Sequence, residues 1–114
     1  FGDDAAELVD EAMETLGKTD GLLIDVRNNS GGNASALRLL AYFGKPGPGV
    51  ALLSRPFLEK LDGPVQENDL TDIYRVTGAY TTEAIFDAVR QGNGATMLMI
   101  EDIGERRYDK PVVI

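Results

Sequence analysis

The chain contains no cysteine, no histidine and no tryptophan in 114 residues. Without cysteine there is no disulfide framework and no thiolate nucleophile. Without histidine there is no imidazole metal ligand, no Ser–His–Asp triad and no Cys–His pair. Any chemistry here must use carboxylates, lysine, hydroxyls or main-chain amides. No apolar run is long enough to cross a bilayer, and no basic-then-apolar leader opens the chain. The first residue is Phe1, which predicts a processed product or a piece of a longer protein.

Excess positive charge is also missing. The formal net charge is −8. Residues 1–25 hold eight acids and one lysine, so nearly all of the imbalance lies in that stretch. A nucleic-acid binder needs a basic stripe, and none is present. The acidic start reads as the solvated face of a helix. Hydrophobic residues reach 43%, enough for a core and too many for a disordered chain. The length fits one domain.

Residues 4–16 have helical periodicity. Ala5, Leu8, Val9, Ala12, Met13 and Leu16 form the apolar stripe, Asp4 and Glu7 have capping-box spacing, and Gly17 is a stop. Leu22 to Val26 is an apolar run bounded by turn residues, which predicts a strand buried on both faces. A loop over 28–33 leads to a helix over 34–43, ended by Gly44 and Pro46. Val50 to Leu53 reads as the next strand, giving a unit that predicts a parallel, right-handed crossover. One helical turn is expected within 67–73 and a helix from Thr81 or Thr82 to Gln91. Strands are expected over 96–100 and 111–114. The fold class is therefore α/β, a mostly parallel sheet flanked by helices. The last apolar run stops inside a strand, which predicts a truncated domain; a domain closing on a short edge strand is the alternative.

The loop Asp25-Val26-Arg27-Asn28-Asn29-Ser30-Gly31-Gly32-Asn33 sits between a strand and a helix N-terminus. Unpaired amides and the helix dipole there favour negative charge. A phosphate site and an oxyanion hole both fit, as does a tight connection with no ligand. The Walker loop needs Gly-Lys followed by Ser or Thr, and the dinucleotide fingerprint needs a third glycine; both are absent.

Asp25-x-Arg27-x-Asn29-x-Gly31-Gly32 resembles the signature D-[LV]-R-x-N-x-G-G of the C-terminal processing (tail-specific) serine peptidases, family S41. Ser30 stands where many members have proline. The helices on either side sit where that family has them, and Tyr108 with Pro111 to Ile114 resembles the strand that leads to its nucleophile turn. The likeness covers residues 1–43 and 108–114, while residues 54–107 look like a family-variable insertion, such as a lid. The resemblance implies a partial ClpP/crotonase-like core and hydrolysis of polypeptide tails or peptides without metal or cofactor. It implies a serine nucleophile and a lysine base beyond Ile114, with Gly31 or Gly32 as an oxyanion-hole donor. It makes Asn33 a substrate contact and Asp25, Arg27 and Asn29 supports, the first two joined by charge-assisted bonds and Asn29 holding the turn. The chain alone should be inert, and an extracytoplasmic location is what the family implies.

Other readings remain open. The same core resembles the retinoid-binding repeats of the photoreceptor matrix, which hold apolar ligands without cutting. A homodimer pairing exposed strand ends is a third possibility. Ser30, Ser35 and Ser54 occur with Lys18, Lys45, Lys60 and Lys110, but nothing in the sequence places a desolvated lysine beside a serine. The acidic groups Glu67/Asp69/Asp72 and Glu101/Asp102/Glu105 lack calcium-loop spacing and read as solvated surface.

Overall fold

A computed structural model describes residues 1–114 as a mixed α/β protein. Helix α1 spans Ala5–Leu16 and buries Ala5, Ala6 and Met13. Its expected capping box does not form. Asp4 is itself helical and makes no side-chain cap, because the first turn closes through main-chain bonds such as Ala5 N to Gly2 O. Leu8 and Leu16 lie on its exposed side.

Strand β1 is only Leu22–Leu23, and α2 is Ala36–Phe43. Strand β2 is Gly47–Leu53, and α3 is one turn, Arg55–Leu58. A 3₁₀ turn follows at Glu67–Leu70. Strand β3 is Tyr74–Val76, α4 is Thr82–Gln91 and β4 is Ala95–Ile100. A second 3₁₀ turn at Gly104–Arg106 precedes β5, Val112–Val113. No helix is long and apolar enough to cross a membrane.

The strands form two sheets rather than one mostly parallel sheet. β1 pairs with β5 in parallel, and the second sheet has the order β2-β4-β3. β3 is parallel to β4, but β2, the longest partner, is antiparallel to it. The expected parallel crossover from β1 through α2 to β2 is therefore not made, since those strands lie in different sheets. The parallel crossover is β3–α4–β4 instead. It is closed by Thr96 Oγ1, which donates to Ala88 O at 2.9 Å.

The reason lies in burial. Ala95, Thr96, Met97 and Leu98 are all buried, so β4 can take a partner on each edge and cover on each face. β1 was expected to be buried on both faces, yet Leu23 is 77% exposed and Val26 is 48% exposed. With so little cover the ladder stops after Ile24 N donates to Val113 O.

Two apolar clusters make the core. Met13, Ala41, Tyr42, Ile103 and Tyr108 form one, and Leu37, Ala79, Ala88 and Leu98 the other. Ile100 packs against both. The helix α2 thus faces one cluster with Leu37 and the other with Ala41 and Tyr42. That double contact fixes the direction from which the preceding loop enters the helix. Residues 54–107 supply β3, α4 and β4, so the best-buried strand belongs to them.

Candidate functional site

The loop from Asp25 to Ser35 is built from short-range bonds. Arg27 Nε donates to Asp25 Oδ1 at 2.9 Å and its terminal nitrogen to Oδ2 at 2.6 Å. Arg27 N donates to the same carboxylate at 2.9 Å. The Arg27 side chain and main-chain amide hold the Asp25 carboxyl below its ordinary value, and Asp25 raises Arg27 in return. The pair is solvent-exposed, so it shapes the loop more than it stabilises the fold. Asn28 has φ 65°, a left-handed conformation that asparagine accepts at low cost.

Asn29 Oδ1 accepts from Gly31 N at 3.0 Å. Gly31 sits at φ 124°, where a side chain would be strained. Asn33 Oδ1 accepts from Ser35 N at 2.9 Å, and its amide nitrogen donates to Asp3 Oδ1 at 2.6 Å. Leu37 N and Arg38 N bond back to Ala34 O and Ser35 O. The expected row of unpaired amides at the start of α2 is therefore largely used up locally. Gly31's N–H is taken by Asn29 in this arrangement. Asn33's side chain bonds Ser35 N and Asp3 in this arrangement. Gly32 and Ala34 keep N–H groups with no protein partner.

Gly32, Asn33 and Ala34 form one side of a depression of about 340 Å³, and Val50, Leu52, Ile85 and Leu98 form the other. The site therefore pairs unsatisfied main-chain donors with an apolar floor. Such a surface suits a carbonyl or carboxylate oxygen next to an apolar group.

Three further residues contribute without a local signal in the sequence. Phe1 donates through its nitrogen to Gly31 O at 3.0 Å and accepts from Asn33 N at 3.1 Å. Asp3 Oδ1 accepts from Asn33, from Thr82 N at 2.9 Å and from Thr82 Oγ1 at 2.8 Å. The Thr82 hydroxyl, then its main-chain amide, hold the Asp3 carboxyl below its ordinary value. The only hint in the sequence was the Thr81-Thr82 pair, which signals a helix start that wants acceptors. Thr81 supplies one itself, accepting from Ala84 N at 3.2 Å.

The third is Arg38, a buried cation. It donates to Asp10 at 2.7 and 2.9 Å and to Glu101 at 2.8 Å. Tyr42 donates to Asp10 at 2.8 Å and Tyr80 to Glu101. The Asp10 hydrogen bond raises Arg38 further above its ordinary value. Burial pushes the Asp10 carboxyl up, but the bonds from Arg38 and Tyr42 outweigh it and leave it lowered. Burial, then Glu101, pushes the Tyr80 hydroxyl up. Every charge in this cluster is paired, so it joins α1, α2 and the residue that follows β4 and offers no open valence.

None of the serines is bonded to a lysine. Ser54 accepts from Phe57 N at 3.3 Å, and Lys110 donates to Thr19 O. Ser35 Oγ is buried without a partner. The acidic groups also do other work. Asp69 accepts from Gln66 N, Asp102 from Gly104 N, and Glu101 binds Arg38. They do not gather with other acids into a metal-sized cluster. No family model, no curated protein and no solved structure matches the chain.

Proposed function

We propose that residues 1–114 form the oxyanion-loop portion of a serine-type peptidase that hydrolyses polypeptide tails or peptides. The observation that carries this reading is the free Gly32 N–H at the rim of an apolar depression, in a strand-to-helix loop with the sequence Asp25-x-Arg27-x-Asn29-x-Gly31-Gly32. Attack on a peptide carbonyl develops negative charge on its oxygen, and a fixed N–H stabilises that charge. Val50, Leu52, Ile85 and Leu98 would take the adjoining apolar side chain. The fold would then be part of a ClpP/crotonase-like core, with β1 and β5 as two of its parallel strands. No serine here touches a general base, so this reading requires a nucleophile and base from outside residues 1–114. No metal or cofactor is required by this chemistry.

The test is peptide hydrolysis by the protein translated from the whole reading frame, with and without a serine-directed phosphonate. Hydrolysis blocked by the phosphonate supports the reading. Absence of hydrolysis, or hydrolysis indifferent to the phosphonate, overturns it. The isolated 114-residue chain is expected to be inert in the same assay.

A second reading rests on a different observation. Val9, Ala12, Met13, Leu16, Leu22, Leu39 and Phe43 line an apolar depression of about 270 Å³ beside β1. This favours a non-catalytic module for an apolar ligand. The volume falls just under the roughly 300–1,000 Å³ of typical ligand pockets, so the peptidase reading is preferred. Retinol or a fatty acid quenching or shifting tyrosine fluorescence at micromolar concentration would reverse that preference.

A further inference from the structure

The free edge of the glycine loop already has an occupant. Phe1 bonds through its nitrogen to Gly31 O and through its carbonyl to Asn33 N. The two bonds bracket Gly32 in the manner of one rung of a parallel ladder. The approach is close enough to require glycine. A Cβ on Gly32 would lie 2.5 Å from Phe1 N, 2.6 Å from Phe1 Cβ and 2.7 Å from Phe1 O. Two residues on, Asp3 fastens the segment. Its Oδ1 accepts from the Asn33 side chain, from Thr82 N and from Thr82 Oγ1, which ties the loop to the start of α4.

We propose that the Gly31–Asn33 edge is a docking site for an extended peptide, and that residues 1–3 are a built-in strap that occupies it under the control of the Asp3 clasp. Main-chain bonds to one open edge select backbone rather than side chain, which is the chemistry of strand addition. The ligand class is therefore an extended peptide whose first bonded residue keeps its N–H. A proline at that place would lack the donor to Gly31 O. The contact serves as a stored, intramolecular version of the same interaction. A tethered segment competes at high effective concentration, so an outside peptide gains access when the clasp is loosened. The identity of the ligand rests on the peptidase reading, whereas the strap geometry stands without it.

The test uses the full 114-residue chain and two readouts. Amide exchange at Asn33 is compared between the wild type and Asp3→Ala, with Thr82→Val as the milder variant and melting as the control for folding. Exchange about tenfold faster in Asp3→Ala at unchanged global stability, with Thr82→Val between, is expected. Acetyl-Phe-Gly-Asp-Asp is then titrated into Asp3→Ala. It should move the amide signals of Gly31 to Asn33, and acetyl-Pro-Gly-Asp-Asp should move them far less. Unchanged Asn33 exchange in a folded Asp3→Ala overturns the strap. Unmoved signals, or equal shifts with both peptides, overturn the docking site. Peptide docking with no hydrolysis by the whole-frame protein counts against the peptidase reading alone. Hydrolysis without any docking counts against this inference alone.

Discussion

At the scale of single residues, Arg38 carries the largest consequence. Its side chain is buried between Tyr42 and Tyr80, with both carboxylate partners in hydrogen-bond range. Removing one member of a buried ion pair costs roughly 3–5 kcal/mol because the other charge is stranded. Asp10 and Glu101 keep 40% and 30% of their side-chain surface, so water screens part of that loss. Arg38→Met should therefore cost about 2–3 kcal/mol in urea unfolding. A loss under about 0.5 kcal/mol would mean the network is decorative. The pH dependence has a definite sign. Asp10 is lowered on folding from an ordinary 3.8, so the stability it lends is present above that value. It is lost as pH falls through the lower, folded value. Acid unfolding of Arg38→Met should lose that steepening. Asp25 and Arg27 are a surface pair, with 46% and 85% of their side-chain surface exposed, and Asp25→Asn should leave the melting temperature unchanged while loosening the loop.

At the scale of elements, β4 and β1 stand at opposite ends. Leu98 is 1% exposed and belongs to the second apolar cluster. Leu98→Ala should cost roughly 2–5 kcal/mol by calorimetry, and a cost below about 1 kcal/mol would show that β4 is not the centre of the fold. The Thr81 cap is a smaller contribution. Thr81→Ala should cost about 1 kcal/mol, whereas Ser35→Ala removes a hydroxyl that is buried and unbonded and should not destabilise. The β1–β5 pairing spans two residues and should exchange its amides far faster than β4. Helices α1, α2 and α4 and strand β4 were legible in the sequence, because a 3.6-residue period and a run such as Thr96 to Ile100 are local signals, whereas the single turn of α3 and the short β3 were not. The sheet partition was not. Leu22-Leu23-Ile24 and Thr96-Met97-Leu98 look alike as apolar runs, and only distant partners decide which is covered. The site divides the same way. The bond that Gly31 N donates to Asn29 Oδ1 crosses two residues, and that from Thr82 N to Asp3 Oδ1 crosses 79. No spacing rule reaches the second.

At the scale of the whole molecule, 16 of 114 residues are buried, a thin core for a chain so rich in apolar residues. Leu23, Val26, Val113 and Ile114 lie exposed around one depression together with the Asp25–Arg27 pair. A parallel pair of strands is seldom left open on its faces. Self-association through this patch is expected. The net charge of −8 opposes it, so association should strengthen as salt rises. Light scattering at low and high salt checks this, and Leu23→Lys should return the chain to monomer. A monomer at all concentrations and salts would show that the patch needs no cover.

The peptidase reading turns on one N–H group, that of Gly32. In the protein completed to its whole reading frame, replacing the Gly32 amide N–H by an ester oxygen through semisynthesis deletes that donor and adds no Cβ against Phe1. Peptide hydrolysis, with melting as the control for folding, reads the effect. With an oxyanion donor lost, kcat should fall by about 10²–10³ with KM little changed. A folded ester variant that cuts peptide at the wild-type rate would contradict the oxyanion role of Gly32.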